Sequence, residues 1–69
     1  MSRFKKHTDT GSFNYGYDDV LDYWWEERNF DGEIMDEDHS VTKAKMSDKL
    51  EEYGVDENHI YLVLLGAPI

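Results

Sequence analysis

The fold depends on residues 18–29, which read DDVLDYWWEERN. Apolar side chains recur at the i, i+3, i+4, i+7 spacing of one helix face, at Tyr17, Val20, Leu21 and Trp24. Acidic side chains recur every four residues elsewhere on that surface, at Asp18, Asp22 and Glu26. The two aspartates that open the stretch favour a helix start, because carboxylates accept hydrogen bonds from free amides and complement the helix dipole. The pattern therefore predicts a helix over residues 18–29.

Short strands are predicted on either side of this helix. Residues 12–17, SFNYGY, alternate small or polar residues with aromatic ones at period two, which is typical of a half-buried strand or an extended loop. Asp31-Gly32 is a turn signal, and residues 33–35 follow it as a short strand. Residues 59–65, HIYLVLL, form a β-branched and leucine-rich run that is typical of a strand buried on both faces.

A second helix is expected between the last two strands. Ser40 offers a cap for its start, and Ser47 competes as a later cap. One side of this helix carries Thr42, Met46, Leu50 and Tyr53, and Gly54 ends the pattern. The order of elements predicts a single α+β domain over residues 12–69, with two helices packed on a short, antiparallel, three-stranded sheet. Residues 1–11 are polar and basic, and we expect them to form a flexible N-terminal arm.

Negative charge is concentrated in the middle of the chain. The segment from Asp18 to Asp38 holds ten acidic residues and one basic residue, Arg28, so it carries the net charge of −9 that the whole chain carries. Charge placed in this way creates a directed field that attracts cationic surfaces and repels nucleic acids and anionic lipids. Direct binding to nucleic acid is therefore not expected.

Composition argues against an enzyme and against a cofactor. The chain has no cysteine, so it can form neither a disulfide nor a thiolate zinc site. Its histidines lack the i, i+4 partner of a helical zinc site, and glycine-rich phosphate loops and serine elbows are absent from the sequence. The longest apolar run, Ile60–Leu65, is too short to span a membrane, and no apolar signal segment is visible, so we expect a cytoplasmic protein without membrane partners.

Regularly spaced carboxylates imitate the charge pattern of a nucleic acid. Duplex DNA carries one phosphate about every 3.4 Å of axis on each strand. Seven of the ten aromatic residues lie within residues 13–30, more than a small core easily buries, so we expect Tyr23 or Trp25 to stay partly exposed as a flat contact. The residues expected to contact a partner are Asp18, Asp19, Asp22, Tyr23, Trp25, Glu26, Glu27, Asp31, Asp36, Glu37 and Asp38.

In size, charge and aromatic content the chain resembles the small acidic proteins with which bacteriophages block host restriction or CRISPR nucleases. The resemblance implies a phage-encoded, non-enzymatic inhibitor in the host cytoplasm that occupies the cationic groove of a host enzyme. The alternative is a protein-interaction or self-associating module that uses an aromatic surface, with the acidic residues serving solubility. The cluster Lys43, Lys45 and Lys49 either pairs with the acidic surface or forms a separate contact.

Residues 27–38, ERNFDGEIMDED, also resemble a degenerate calcium loop of the EF-hand family. Oxygen donors occupy the first, third, fifth and twelfth places and glycine the sixth, between two helical patterns. The resemblance implies a set of calcium ligands made of Glu27, Asn29, Asp31, Glu33 through its carbonyl, and Asp38. Met35 offers no oxygen at the ninth place, so a metal site is the least supported of the three hypotheses.

Overall fold

Four antiparallel strands followed by two helices make up residues 2–69, the part of the chain that the computed structural model describes. The elements are β1 (Phe4–Thr8), β2 (Gly11–Asp18), β3 (Asp22–Asn29), β4 (Ile34–Val41), α1 (Lys43–Tyr53) and α2 (Glu57–Leu64). The strands lie side by side in sequence order, and each neighbouring pair is antiparallel. The prediction of a small α+β domain with two helices is confirmed, and the sheet has four strands instead of three.

Residues 18–29 form a turn and a strand instead of the predicted helix. The Asp18 carboxylate accepts hydrogen bonds from the backbone N–H groups of Val20 (2.7 Å) and Leu21 (3.2 Å), which stabilises a turn between β2 and β3. Asp22 follows with φ 58°, a left-handed conformation that aspartate tolerates better than most residues. The aspartates that suggest a helix start thus build a hairpin turn, and the aromatic run after them favours a strand.

β3 directs alternate side chains to the two faces of the sheet. Tyr23 and Trp25 lie in the core beneath the helices, with 6% and 9% of their surface exposed. Trp24 lies on the opposite face, where the Arg3 guanidinium stands 5.1 Å from its ring centre. The Trp24 indole N–H is buried and has no hydrogen-bond partner among residues 2–69. We call this second face the open face, because neither helix packs on it.

The predicted flexible arm over residues 1–11 is wrong, because Phe4–Thr8 form β1 of the sheet. Residue 1 of that arm lies outside the described residues. β1 pairs with β2 along its whole length, and the Phe4 ring lies 5.4 Å from that of Tyr15. Just before β1, the carbonyl of Ser2 lies so close to Gly16 that a Cβ there would be 2.1 Å from its oxygen. Only glycine allows this close approach.

α1 matches the predicted second helix in its buried side and in its end. Met46 and Leu50 are fully buried, and Gly54 ends the helix with φ 62°. The start is different, because the side chain of Thr42 accepts a hydrogen bond from the backbone N–H three residues later (3.3 Å) and caps the helix. The two predicted caps, Ser40 and Ser47, lie at the end of β4 and inside α1.

The predicted strand over residues 59–65 is wrong, because this segment lies mostly in α2. The Asp56 carboxylate accepts a hydrogen bond from the backbone N–H of Asn58 (2.8 Å) and caps the helix, which decides between helix and strand for a short apolar run. Only one side of the helix is buried. Val63 is fully buried, whereas Leu64 is 53% exposed.

One core lies between the sheet and the two helices. Its buried members are Phe13, Tyr15, Tyr23, Trp25, Val41, Met46, Leu50, Val55 and Val63. Phe13 stacks on Tyr53 with 4.0 Å between ring centres, which joins β2 to α1. The Tyr23 hydroxyl donates to the carbonyl of Ala67 (2.6 Å) and thereby holds the segment after α2 against the sheet.

Replacing Leu50 with alanine should lower the free energy of unfolding by about 2–5 kcal/mol, because the fully buried side chain would leave a cavity. Leu64→Ala is the matched control, and we expect it to change stability by less than ~0.5 kcal/mol. Urea denaturation followed by circular dichroism measures both. Equal losses in the two variants would contradict this position of the core.

Candidate functional site

β4 places three consecutive carboxylates on an outer strand of the sheet. Asp36, Glu37 and Asp38 are all exposed, and none forms a salt bridge within the described chain. Asp36 and Asp38 face the helix-covered side, because they lie opposite Glu27 and Trp25, whereas Glu37 faces the open side. Consecutive residues of an antiparallel strand rise by about 3.4 Å each, so the two carboxylates on the helix-covered side lie about 6.8 Å apart along the strand.

Two acidic turns extend this row at its ends. The backbone N–H of Ser40 donates to the carbonyl of Leu21 (2.7 Å), which holds the end of β4 beside the β2–β3 turn. At the other end, the side chain of Asn29 accepts from the backbone N–H groups of Asp31 (3.0 Å) and Glu33 (2.9 Å). We call the resulting set the acidic edge, and it consists of Asp18, Asp19, Asp22, Asp31, Glu33, Asp36, Glu37 and Asp38.

The members of the acidic edge lie at the surface, and one of them, Asp18, is held by backbone hydrogen bonds. The backbone N–H groups of Val20 and Leu21 hold the pKa of Asp18 below its ordinary value, because they stabilise the carboxylate form. Apart from Asp18, which is half-buried, every member of the set is exposed to solvent. β4 has eight residues and therefore spans about 24 Å at about 3.4 Å per residue, so the edge is long enough to meet several successive charges of a partner.

Exposed apolar side chains are interspersed among these carboxylates. Val20 is 85% exposed, Phe30 78% and Met35 65%, and each of them has an acidic residue next to it or nearby in the chain. Sequence reasoning assigned none of them a contact role, although their position beside turn residues gave a signal. They supply apolar surface where Tyr23 and Trp25 were expected to, and those two residues are buried in the core.

Two of the predicted contact residues, Glu26 and Glu27, are not part of the acidic edge. Glu26 is 8% exposed and forms salt bridges with Arg3 and with Arg28, the latter at 2.9 Å. Glu27 forms a salt bridge with Lys49 at 3.0 Å. The predicted helical stripe of Asp18, Asp22 and Glu26 is also wrong, because the first two face each other across the β2–β3 hairpin.

The predicted calcium loop lacks the two flanking helices of an EF-hand. Residues 27–38 run from the end of β3 through a turn into β4, so strands replace the two helices of an EF-hand. The side chain of Glu27 bonds to Tyr53 and Lys49 of α1. Within residues 2–69 no group of three or more histidines and carboxylates is placed to hold a metal ion.

Glu27 instead joins the sheet to α1. Lys49 lies 4.1 Å above the Trp25 ring as well as beside Glu27, and the Tyr53 hydroxyl donates to the same carboxylate. Burial would raise the pKa of Glu27, but the hydrogen bonds from Tyr53 and Lys49 and the Lys49 charge outweigh it, so the pKa lies below its ordinary value. Burial and the Glu27 carboxylate both raise the pKa of Tyr53. One lysine of the predicted cluster thus pairs inside the fold.

A cleft of about 260 Å³ lies on the open face. Its lining includes Lys5, His7, Ser12, Arg28, Asn29 and Phe30. Arg28 already donates to Glu26 (2.9 Å) and to the carbonyl of Gly32 (2.6 Å). Because the guanidinium of Arg28 is already hydrogen-bonded within the fold, the cleft is a weaker candidate site than the acidic edge.

No protein-family model matches the chain, and no curated protein or solved structure matches it either. Neither helix of residues 2–69 has the length and apolar character that crossing a membrane requires.

Tyr53→Phe should lower stability at pH 7 by about 1 kcal/mol, because Glu27 loses a hydrogen bond in a half-buried site. The depressed pKa of Glu27 contributes stability above its ordinary value of 4.5, and this contribution is lost as the pH falls below that value. The variant should therefore also lose less stability on acidification than the wild type. Urea denaturation at pH 7 and at lower pH measures this, with the exposed Tyr61→Phe as control. Parallel pH curves for Tyr53→Phe and wild type would contradict the assignment.

Proposed function

We propose that this chain is a small, non-enzymatic inhibitor that acts as a nucleic-acid mimic and occupies the cationic groove of a host nucleic-acid-binding protein or enzyme. Its target class is a defence enzyme of the restriction or CRISPR type, which implies that the inhibitor is phage-encoded and acts in the host cytoplasm. The acidic edge is the observation that supports this proposal. It has eight carboxylates without a salt bridge among residues 2–69.

The arrangement of the charges along β4 supports mimicry. Asp36 and Asp38 lie on one face of the sheet, about 6.8 Å apart along the strand, and Glu37 lies between them on the other face. Duplex DNA also presents a row of like charges, with one phosphate about every 3.4 Å of axis on each strand. A cationic groove that binds a row of phosphates therefore also attracts this row of carboxylates, whose interval on one face is about twice as long. The exposed side chains of Val20, Phe30 and Met35 lie near these carboxylates in the chain and add apolar contact area.

The distribution of basic residues argues against simple solvation of the acidic edge. An ordinary solvated surface mixes both signs of charge. Here Arg3, Arg28 and Lys49 are used to neutralise the partly buried Glu26 and Glu27, and the exposed carboxylates of β4 receive no basic partner from residues 2–69. The fold thus neutralises the carboxylates it buries and leaves the outer row charged.

Neutralising the row on β4 should weaken partner binding. For the variant Asp36→Asn/Glu37→Gln/Asp38→Asn we expect association with a captured partner to slow by at least ~10-fold near physiological salt, because charge steers the encounter. The partner is first captured from a bacterial lysate on immobilised wild-type chain and eluted with duplex DNA, which competes for the same groove. Stopped-flow or surface-based kinetics on the purified partner then measure the rates.

The matched control is Asp9→Asn/Asp48→Asn/Glu51→Gln, which removes the same charge from exposed positions outside the acidic edge. It should change the association rate far less than the β4 variant. Association rates that are equal in both variants, or that hardly change from low to high salt, would reject mimicry. A partner that both variants retain, and that duplex DNA does not elute, would favour an interaction module that uses apolar surface.

A further inference from the structure

β1 and β4 are the outer strands of the sheet, and each has a neighbouring strand on one side only within the described chain. The outer sides of these strands can therefore pair with a further strand. On β4 the backbone N–H groups of Glu37 and His39 donate to the carboxylates of Asp36 (2.9 Å) and Asp38 (2.8 Å), so pairing there exchanges local hydrogen bonds for bonds to the added strand. Both strands are also accessible. Every residue of β4 before Val41 is exposed, and so are the three central residues of β1.

The two outer strands carry opposite charge. β1 reads FKKHT and presents Lys5 and Lys6, whereas β4 reads IMDEDHSV and presents Asp36, Glu37 and Asp38. Opposite charges that face each other across a strand pair stabilise it, and like charges destabilise it. The β1 of one molecule is therefore complementary to the β4 of another, while pairing of β1 with β1, or of β4 with β4, brings like charges together.

The direction of the strands permits this pairing without turning either molecule over. Neighbouring strands alternate in direction, so β1 and β4 of one sheet run antiparallel to each other. A second copy placed beside the first in the same orientation then brings its β1 antiparallel to the β4 of the first. The helices of both copies stay on the same face of the continued sheet.

We propose that the chain binds a second copy of itself head to tail, through antiparallel pairing of β1 with β4. Residues that face each other across strands lie on the same face of a sheet. Lys6 and Asp36 lie on the helix-covered face, and Lys5 and Glu37 lie on the open face. The register that pairs Lys6 with Asp36 also pairs Lys5 with Glu37. In both pairs the two residues lie on the same face of the sheet and carry opposite charges.

The irregularities of β4 leave this segment intact. Bulges on an outer strand often prevent unwanted pairing. The two register shifts between β3 and β4 lie between Tyr23 and Trp25 and between Glu27 and Arg28. Residues 36–38 lie between these shifts, where the pairing with β3 is regular. The most acidic part of β4 is thus also the part that has regular strand geometry.

Such a contact is heterologous, since it joins two different surfaces. Each added copy presents a new free edge, so the association continues until a ring closes or a filament forms. The inference does not rest on the proposed function. It does predict competition, because the β1 of a second copy and a cationic partner would use the same carboxylates of β4.

Sedimentation velocity across a concentration series tests the proposal. At ~0.15 M salt, where the Debye length is ~8 Å, dissolved ions screen the repulsion between the net charges of two molecules. They screen the attraction between directly paired residues much less. We expect a mean mass above the 8.2 kDa of the monomer that rises with concentration. Lys5→Glu/Lys6→Glu and Asp36→Lys/Glu37→Lys should each raise the dissociation constant at least ~10-fold. An equimolar mixture of these two variants should associate again, because its edges are complementary.

The matched control is Lys43→Glu/Lys45→Glu, which has the same net charge as Lys5→Glu/Lys6→Glu but alters exposed residues of α1. It should associate like the wild type. Recovery in the mixture shows that the individual variants are folded, and it supports the specific edge pairing. A wild-type chain that stays at 8.2 kDa up to ~1 mM, a mixture that stays monomeric, or a control that loses as much association as Lys5→Glu/Lys6→Glu would each overturn the proposal.

Discussion

Successive residues of a strand point to opposite faces, and β2 and β3 use this alternation to place four aromatic rings under the two helices. Phe13 and Tyr15 come from β2, and Tyr23 and Trp25 come from β3. Trp25 lies directly opposite Tyr15 in the strand pair. A chain of 69 residues has little apolar material for a core, so these rings and the short apolar sides of α1 and α2 must supply most of it. A shift of one residue in the β2–β3 register would expose the rings and bury charged residues.

The same register determines where negative charge reaches the surface. Glu26 and Glu27 lie in the interior of the sheet, where burial makes an unpaired carboxylate costly, and each one has a basic partner. Residues of β4 lie on an outer strand and need no such partner, because water solvates them. The net charge of −9 is therefore expressed mainly along one side of the molecule, while Lys5 and Lys6 lie on the opposite side. Both the mimic and the head-to-tail pairing depend on this separation.

The sequence predicts correctly those elements in which the apolar residues fit only one spacing, either that of a strand or that of a helix. The alternation over residues 12–17 favours a strand or an extended loop, and a strand is found there; the spacing of Met46 and Leu50 favours the buried side of a helix, which is also found. Residues 18–29 fit a helical spacing as well as a strand, and the decision depends on how the Asp18 carboxylate closes a turn. The run at 59–65 is equally ambiguous in period, and the cap at Asp56 decides it.

The candidate site could be predicted in part for a similar reason. Exposure of the carboxylates at 31 and 36–38 follows from a polar local sequence, so sequence reasoning identified them. The pairing of Glu26 with Arg3 and of Glu27 with Lys49 joins residues that are more than twenty positions apart, and no local pattern reveals it. The burial of Tyr23 and Trp25 likewise depends on the two helices that follow later in the chain.

The two tryptophans lie next to each other in the chain and on opposite faces of the sheet. Trp25 has the Lys49 ammonium over its ring, and Trp24 has the Arg3 guanidinium over its own. Each indole thus contacts a cation from a different part of the chain, Lys49 of α1 in one case and Arg3, just before β1, in the other, so the two rings sense two separate events. In a variant that keeps Trp25 alone we expect the emission to follow the docking of the helices, and in a variant that keeps Trp24 alone we expect it to follow the addition of the first strand. The chain therefore contains two optical probes for the order in which its sheet and its helices assemble.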